Sequence, residues 1–246
     1  FREKVELGYD LIEVNKLRNQ IEELRQKKDY EKASSVLEEA KSRLKDAIRF
    51  KGIVPVKTYK ADRFKIIMSY EDNGVDVDIV SYYSEGIKIY GYIYRPKNLQ
   101  GKLPVSVYNH GGYKGLSSHD NFFLRLSRER GYVVAASAYR AEPLAVPLVF
   151  IKRARFFEPI DGYPEKGRAK IFMSEGRFEG LKGEVDDVLN LVENIKALPF
   201  VDKEKIVMIG GSHGGGITML ALARYPGIKA GISCGGVVNI FRWHYW

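Results

Sequence analysis

The sequence predicts an α/β protein: a doubly wound, mostly parallel sheet preceded by a helical hairpin. Three observations predict it. Between Val75 and Cys234 short apolar runs alternate with stretches of helical periodicity, whereas in the first 50 residues the apolar positions recur every three or four residues. Lys205-Ile-Val-Met-Ile-Gly-Gly-Ser-His-Gly-Gly-Gly-Ile-Thr-Met-Leu220 then passes from a strand-like run through glycines into helical spacing, which puts Ser212 on the turn.

Asp10-Leu-Ile-Glu13 has the spacing of a capping box, and Leu11, Val14, Leu17, Ile21 and Leu24 follow on one helical face. After Lys27-Lys28-Asp29 a second helix aligns Ala33, Val36, Leu37, Ala40, Leu44, Ala47 and Ile48. Residues 1–50 are expected to form a helical hairpin that acts as a structural cap. A hairpin of this size cannot bury both stripes alone, so Leu17, Leu24, Leu37 and Leu44 are expected to dock on the rest of the chain or on a second copy, giving a homo-oligomer. Residues 51–74, with Pro55, read as a linker, and residues 75–246 as the main domain.

From Val75 the period changes to two. Val75 to Tyr83, a Ser84-Glu85-Gly86 turn and Ile87 to Tyr94 predict an antiparallel hairpin at the sheet edge. Leu103 to Tyr108 is the next strand and ends at Asn109-His110-Gly111-Gly112-Tyr113. A helix from Asn121 to Arg130, stopped by Gly131, leads to a strand from Tyr132 to Ser137, which implies a parallel crossover. Residues 141–180, broken by Pro143, Pro147 and Pro164, read as an excursion over the sheet edge of the kind that forms a lid. Gly183 to Leu198 is a helix with Val185, Val188, Leu189, Val192 and Ile195 inward, and Pro199 follows its end. The strand Ile206 to Ile209, the glycine turn, a helix from Ile217 to Ala223 that ends before Tyr225-Pro226, and a strand from Ile228 to Cys234 complete the series.

Composition narrows the partners. Hydrophobic residues at 45% and charged residues at 29% are ordinary for a globular chain, and the net charge of +9 is spread through interleaved Lys, Arg, Asp and Glu. No nucleic-acid-binding module accompanies that charge, so no nucleic-acid partner is expected. The basic stretch from Lys152 to Lys170 reads as a solvated loop, or as a lure for an acidic partner. The longest apolar run, Leu144 to Ile151, is too short to span a bilayer. Cys234 stands alone, which rules out an intrachain disulfide and makes a buried apolar role its default. A cytoplasmic location is expected, although the start at Phe1 leaves a removed signal peptide open. Abundant Lys, Glu and Ile with three Gln hint at a thermophile.

Gly210-x-Ser212-x-Gly214 fits a nucleophile elbow, in which a sharp strand-to-helix turn lifts the serine Oγ above the sheet. Glycines two residues before and after the serine let backbone pass close to backbone, and Ser212 is expected at positive φ. The glycines fit neither a dinucleotide fingerprint nor a P-loop, so phosphate binding drops out. In a doubly wound sheet ligands bind beyond the carboxyl ends of the strands, where Ser212 and His110-Gly111-Gly112 both fall. The N–H groups of His213 and of Gly112, or of its neighbour Tyr113, suit an oxyanion hole there.

Asn109-His-Gly-Gly112, Ala138-Tyr-Arg140, Ser174-Glu-Gly176, Gly183-Glu-Val-Asp-Asp-Val188, Leu198-Pro-Phe-Val-Asp202 and Gly210-Gly-Ser-His-Gly-Gly215 occur in this order. As a set they resemble the catalytic domain of the prolyl oligopeptidase-like branch of the α/β-hydrolases, which includes acylaminoacyl peptidases and related esterases. The resemblance covers roughly residues 75 to 240. It implies a serine hydrolase acting through an acyl-enzyme on Ser212, with a small ester or peptide as substrate and no cofactor. It also implies a structural role for Asp186 and Asp187. The peptidases carry a β-propeller before this domain, and here only the helical hairpin precedes it, so an esterase is expected as much as a peptidase. A non-catalytic hydrolase fold used as a binding or assembly module is the alternative.

In this fold the acid and the histidine follow the serine. From 213 to 246 there is no Asp or Glu, and the histidines are His213, which faces away from its neighbour, and His244 in the aromatic tail. His110, His119 and Asp120 lack metal-ligand spacing, so no metal is expected. A sheet ending after Cys234 would expose a strand edge, and Phe241, Trp243, Tyr245 and Trp246 would add an aromatic patch. These features predict that residues 75–246 are a hydrolase domain incomplete at its C-terminus, with further strands, an Asp and a His lying beyond residue 246. Completion by a second chain, or His244 as the base, are the alternatives.

Overall fold

The computed structural model describes residues 12–46, 57–98, 100–112, 114–157, 165–166 and 168–236. The chain divides into two compact units, Phe1–Val56 and Lys57–Trp246. The first is a helical hairpin of α1 (Ile12–Gln26) and α2 (Tyr30–Asp46), with Lys28 at φ 57 in the turn and Asp29 Oδ1 accepting from the Lys32 backbone N–H. Val14, Ala33 and Ala40 are buried, Leu17, Leu24 and Leu44 are half-buried, and Leu37 is exposed. Asp10, Leu11, Ala47 and Ile48 lie outside the described residues.

In the second unit the main sheet gathers eight strands among the described residues. They are β1 (Lys65–Asp72), β2 (Val75–Ser84), β3 (Ile87–Pro96), β4 (Leu103–Asn109), β6 (Val133–Ala138), β8 (Phe156–Phe157), β11 (Val201–Gly211) and β12 (Ala230–Cys234). Their order is β12-β11-β4-β6-β3-β2-β1-β8. β12, β11, β4 and β6 pair in parallel, whereas β6, β3, β2, β1 and β8 pair antiparallel.

Two expectations are corrected here. The stretch read as a linker contains β1, which buries Ile67, Met68 and Tyr70. A bulge between Ile66 and Met68 breaks its period of two, so the alternation that marks a strand is lost in the sequence. In consequence the β2–β3 hairpin does not lie at the edge, and β1 and β8 extend the sheet past it.

The stretch read as a lid is built into the core. β7 (Pro143–Pro147) pairs with β10 (Ala169–Met173) in a smaller sheet, completed by β5 (Leu116–Ser117) and β9 (Glu165–Lys166). Pro143 and Pro147 occupy the two ends of β7, where prolines punctuate a strand without breaking its middle. Leu144, Val146 and Phe172, with Phe150 of α4 (Leu148–Ile151), join a buried cluster with Tyr70, Tyr90, Tyr92 and Tyr94. The Tyr92 and Tyr94 rings stack at 4.4 Å, and the Tyr70 and Tyr94 hydroxyls both donate to Ser118 O.

Helix α3 (Asn121–Arg130) covers this face, capped by Asp120, whose carboxylate accepts from the Phe122 and Phe123 N–H groups, and ended by Gly131 at φ 70. The opposite face packs on α5 (Gly183–Lys196) and α6 (His213–Arg224). Val185, Val188, Leu189, Val192 and Ile195 are fully buried there, as their spacing requires. Among the described residues β12 ends the sheet order, and Cys234 on it is exposed, contrary to its default as a buried residue.

One ion pair ties the layers together. Arg140, just past β6, gives Asp187 on α5 three hydrogen bonds: backbone N at 2.9 Å, Nε at 3.1 Å and Nη2 at 2.8 Å. Glu85 at 2.9 Å and Glu179 at 3.1 Å take the remaining face of the guanidinium. A Cβ on Gly183 would meet Arg140 Cζ at 2.1 Å, which is why α5 opens with glycine. Asp187→Ala would leave a buried guanidinium short of its main partner, and a loss of about 3–5 kcal/mol is expected in urea denaturation.

Candidate active site

β11 runs straight into α6 through Ser212, whose backbone lies at φ 52, ψ −119. Few non-glycine residues adopt this conformation, and it persists only where the surroundings fix it. The surroundings here are backbone atoms. A Cβ on Gly210 would lie 2.2 Å from Gly214 O, and one on Gly214 would lie 1.9 Å from Asn109 O. Ser212 N–H donates to Cys234 O at 2.9 Å, and Ser212 O accepts from Gly216 N–H at 3.1 Å. The residue is exposed. Among the described residues no hydrogen bond reaches Ser212 Oγ from another side chain.

The end of β4 is fastened to the same turn. Asn109 is fully buried and its Nδ2 donates to Thr218 Oγ1 at 2.9 Å; the Thr218 hydroxyl donates on to Gly214 O at 2.8 Å. Gly111 follows against the serine, since a Cβ there would be 2.9 Å from Gly211 O and 3.4 Å from Ser212 Cβ. Gly112 lies next, at φ 71, with open space where its Cβ would be. The structure thus brings Ser212, His213 and the Gly111–Gly112 stretch to one end of the parallel strands. Tyr113 and His244 lie outside the described residues.

The remaining candidates scatter. The His213 ring is buried, 6.0 Å from the Tyr139 ring and 5.7 Å from Phe178, and burial holds its pKa below the ordinary 6.5. His119 pairs with Asp72, the last residue of β1, at 2.8 Å. Asp186 accepts from Lys57 Nζ at 2.7 Å and Tyr59 Oη at 3.1 Å, so both acids of the α5 pair serve packing. Glu142 was not legible as a site residue: it is buried 3.1 Å from His110 Nε2, two residues past the Ala138-Tyr-Arg140 motif.

Residues 160–246 match the sequence model of the prolyl oligopeptidase family. Prolyl oligopeptidase B from Galerina marginata aligns with 71% of this chain and 22% of its own at 18% identity and a TM-score of 0.50. The chain has the α/β-hydrolase fold. Acetyl xylan esterase 1 from Thermoanaerobacterium sp. JW/SL YS485 aligns at 17% identity and a TM-score of 0.44, over 69% of this chain and 51% of that one. The acetyl xylan esterase from Paenibacillus sp. R4 gives 19% identity and 0.45, over 71% and 53%. The chain therefore spans about half the length of these esterases. No curated protein matches the sequence. The likeness to the prolyl oligopeptidase-like hydrolases drawn from the motifs holds, and its family match includes Gly210 to Gly215.

Two outcomes follow for this hydrolase fold. Gly214→Ala places a methyl against Asn109 O and is expected to cost about 1–3 kcal/mol, read as a lowered melting temperature by circular dichroism. His213 has a depressed folded pKa, so its contribution to stability is complete above about 6.5 and is lost as pH falls below that value. His213→Gln should flatten that part of the stability profile, measured as unfolding free energy between pH 7 and 5.

Proposed function

We propose that the protein is a serine hydrolase that cleaves an ester or a peptide bond through an acyl-enzyme on Ser212. The observation that carries this is the strained backbone of an exposed serine between a parallel strand and a helix, with Gly111 packed against it. Ser212 Oγ attacks the substrate carbonyl, and its proton passes to a base. The carbonyl oxygen becomes an oxyanion held by the N–H groups of His213 and Gly112, with Tyr113 as the neighbouring donor. Collapse of the adduct expels the alcohol or amine, which takes up the proton, and water then attacks the acyl-enzyme and restores the serine.

The base and its carboxylate are proposed to come from polypeptide beyond residue 246, in the order Asp then His. No cofactor enters these steps. The substrate is proposed to be a small ester or peptide, in keeping with the esterases and the oligopeptidase among the structural neighbours. The second reading is a binding or assembly module on a hydrolase fold.

A fluorophosphonate probe separates the two. Labelling that maps to Ser212 and disappears in Ser212→Ala, together with loss of p-nitrophenyl acetate hydrolysis in that variant, is the expected result. Hydrolysis that survives Ser212→Ala, or a wild-type protein that takes up no probe, rejects the serine hydrolase.

A further inference from the structure

Glu142 is buried at 3% exposure, and among the described residues neither of its carboxylate oxygens accepts a hydrogen bond. Such a group is costly unless a positive partner compensates it. The partner that faces it is His110, whose Nε2 lies 3.1 Å from Oε2, off the line of a good hydrogen bond, so the attraction is electrostatic. The other ring nitrogen, Nδ1, lies 3.5 Å from Gly111 O. Tyr139 holds the ring in place, stacking on it at 4.1 Å and donating its hydroxyl to His110 O at 3.2 Å. Two further titratable groups approach from the helices, His213 of α6 and Glu184 of α5, and burial disfavours a charge on His213.

We propose that His110 and Glu142 are positioning residues that set the direction of the Gly111–Gly112 peptide beside Ser212. The proposal rests on the reading of Ser212 as the nucleophile. The ring lies between two acceptors, with Nε2 facing the Glu142 carboxylate and Nδ1 facing the Gly111 carbonyl. A trans peptide is planar, so its C=O and N–H point in opposite directions. Drawing Gly111 O toward the imidazole turns the Gly112 N–H away from it. Packing holds the Gly111 side of this peptide, whereas the space beside Gly112 is open and glycine adopts other φ values as readily as its 71. The ring adds a hold on the peptide's carbonyl. Glu142 acts one step removed, by drawing the Nε2 side of the ring toward itself so that Nδ1 stays beside the Gly111 carbonyl.

The test uses the full-length polypeptide labelled with ¹⁵N. In the wild type the His110 ring spectrum should show a hydrogen on Nε2. In Glu142→Gln and in His110→Gln the Gly112 backbone amide resonance should move, and the rate of fluorophosphonate labelling at Ser212 should fall at least about tenfold. Glu142→Asp, which keeps the charge, should retain the ring signature. A Gly112 resonance that stays in place in both Gln variants overturns the proposal. So does a wild-type ring without a hydrogen on Nε2, a measurement that stands even if a variant fails to fold. Absence of labelling in the wild type would reject the nucleophile, whereas the Gly112 resonance and the ring spectrum would still decide whether the pair positions the peptide.

Discussion

At Gly214 the backbones of α6 and of the end of β4 cross so closely that one added carbon would lie 1.9 Å from Asn109 O. The candidate site depends on this crossing. It brings the strand that carries His110, Gly111 and Gly112 against the helix that starts at His213, and it leaves the intervening serine only a positive φ. The Asn109–Thr218–Gly214 hydrogen bonds satisfy Asn109 Nδ2, the Thr218 hydroxyl and Gly214 O at the crossing, whereas the buried Asn109 Oδ1 accepts no hydrogen bond among the described residues. The distance between the two elements is therefore set by backbone sterics and a short polar chain, neither of which relaxes easily.

A second set of polar contacts holds the end of β6. Arg140 reaches Asp187, Glu85 and Glu179, and so joins α5, the β2–β3 turn and the segment after β10. Glu85 also pairs with Lys57, and the Lys57 and Arg140 hydrogen bonds hold its carboxyl below the usual range. Tyr139, between this network and the Gly111 loop, donates to His110 O and stacks on the His110 ring. The centre of this framework, Arg140 with Asp187, is charged and buried at once, which favours a single arrangement over several loosely packed ones.

Features carried by local pattern were legible in the sequence. The five apolar positions of α5 point inward because a period of 3.6 admits one buried face, and the turn at Ser212 is marked by glycines that sterics demand. The end of α3 was legible in Gly131, whereas its Asp120 cap was not read from the sequence. Features that depend on partners far along the chain were not legible. β1 lost its alternation to a bulge, and β7 and β10 carry a pattern that means little until each finds the other across residues 148 to 168. Glu142 belongs to no motif of spacing, and only the fold brings it to His110.

The tyrosines that fill this core have a further consequence. Burial pushes the hydroxyls of Tyr82, Tyr92, Tyr94 and Tyr139 well above the ordinary phenol range. In the folded chain they stay neutral at alkalinities that ionise a free tyrosine, and the stability this reflects is present below about pH 10 and lost above it. Phenolate absorbance from these rings then arrives only when the sheet opens, so the protein carries an intrinsic optical gauge of its own alkaline melting.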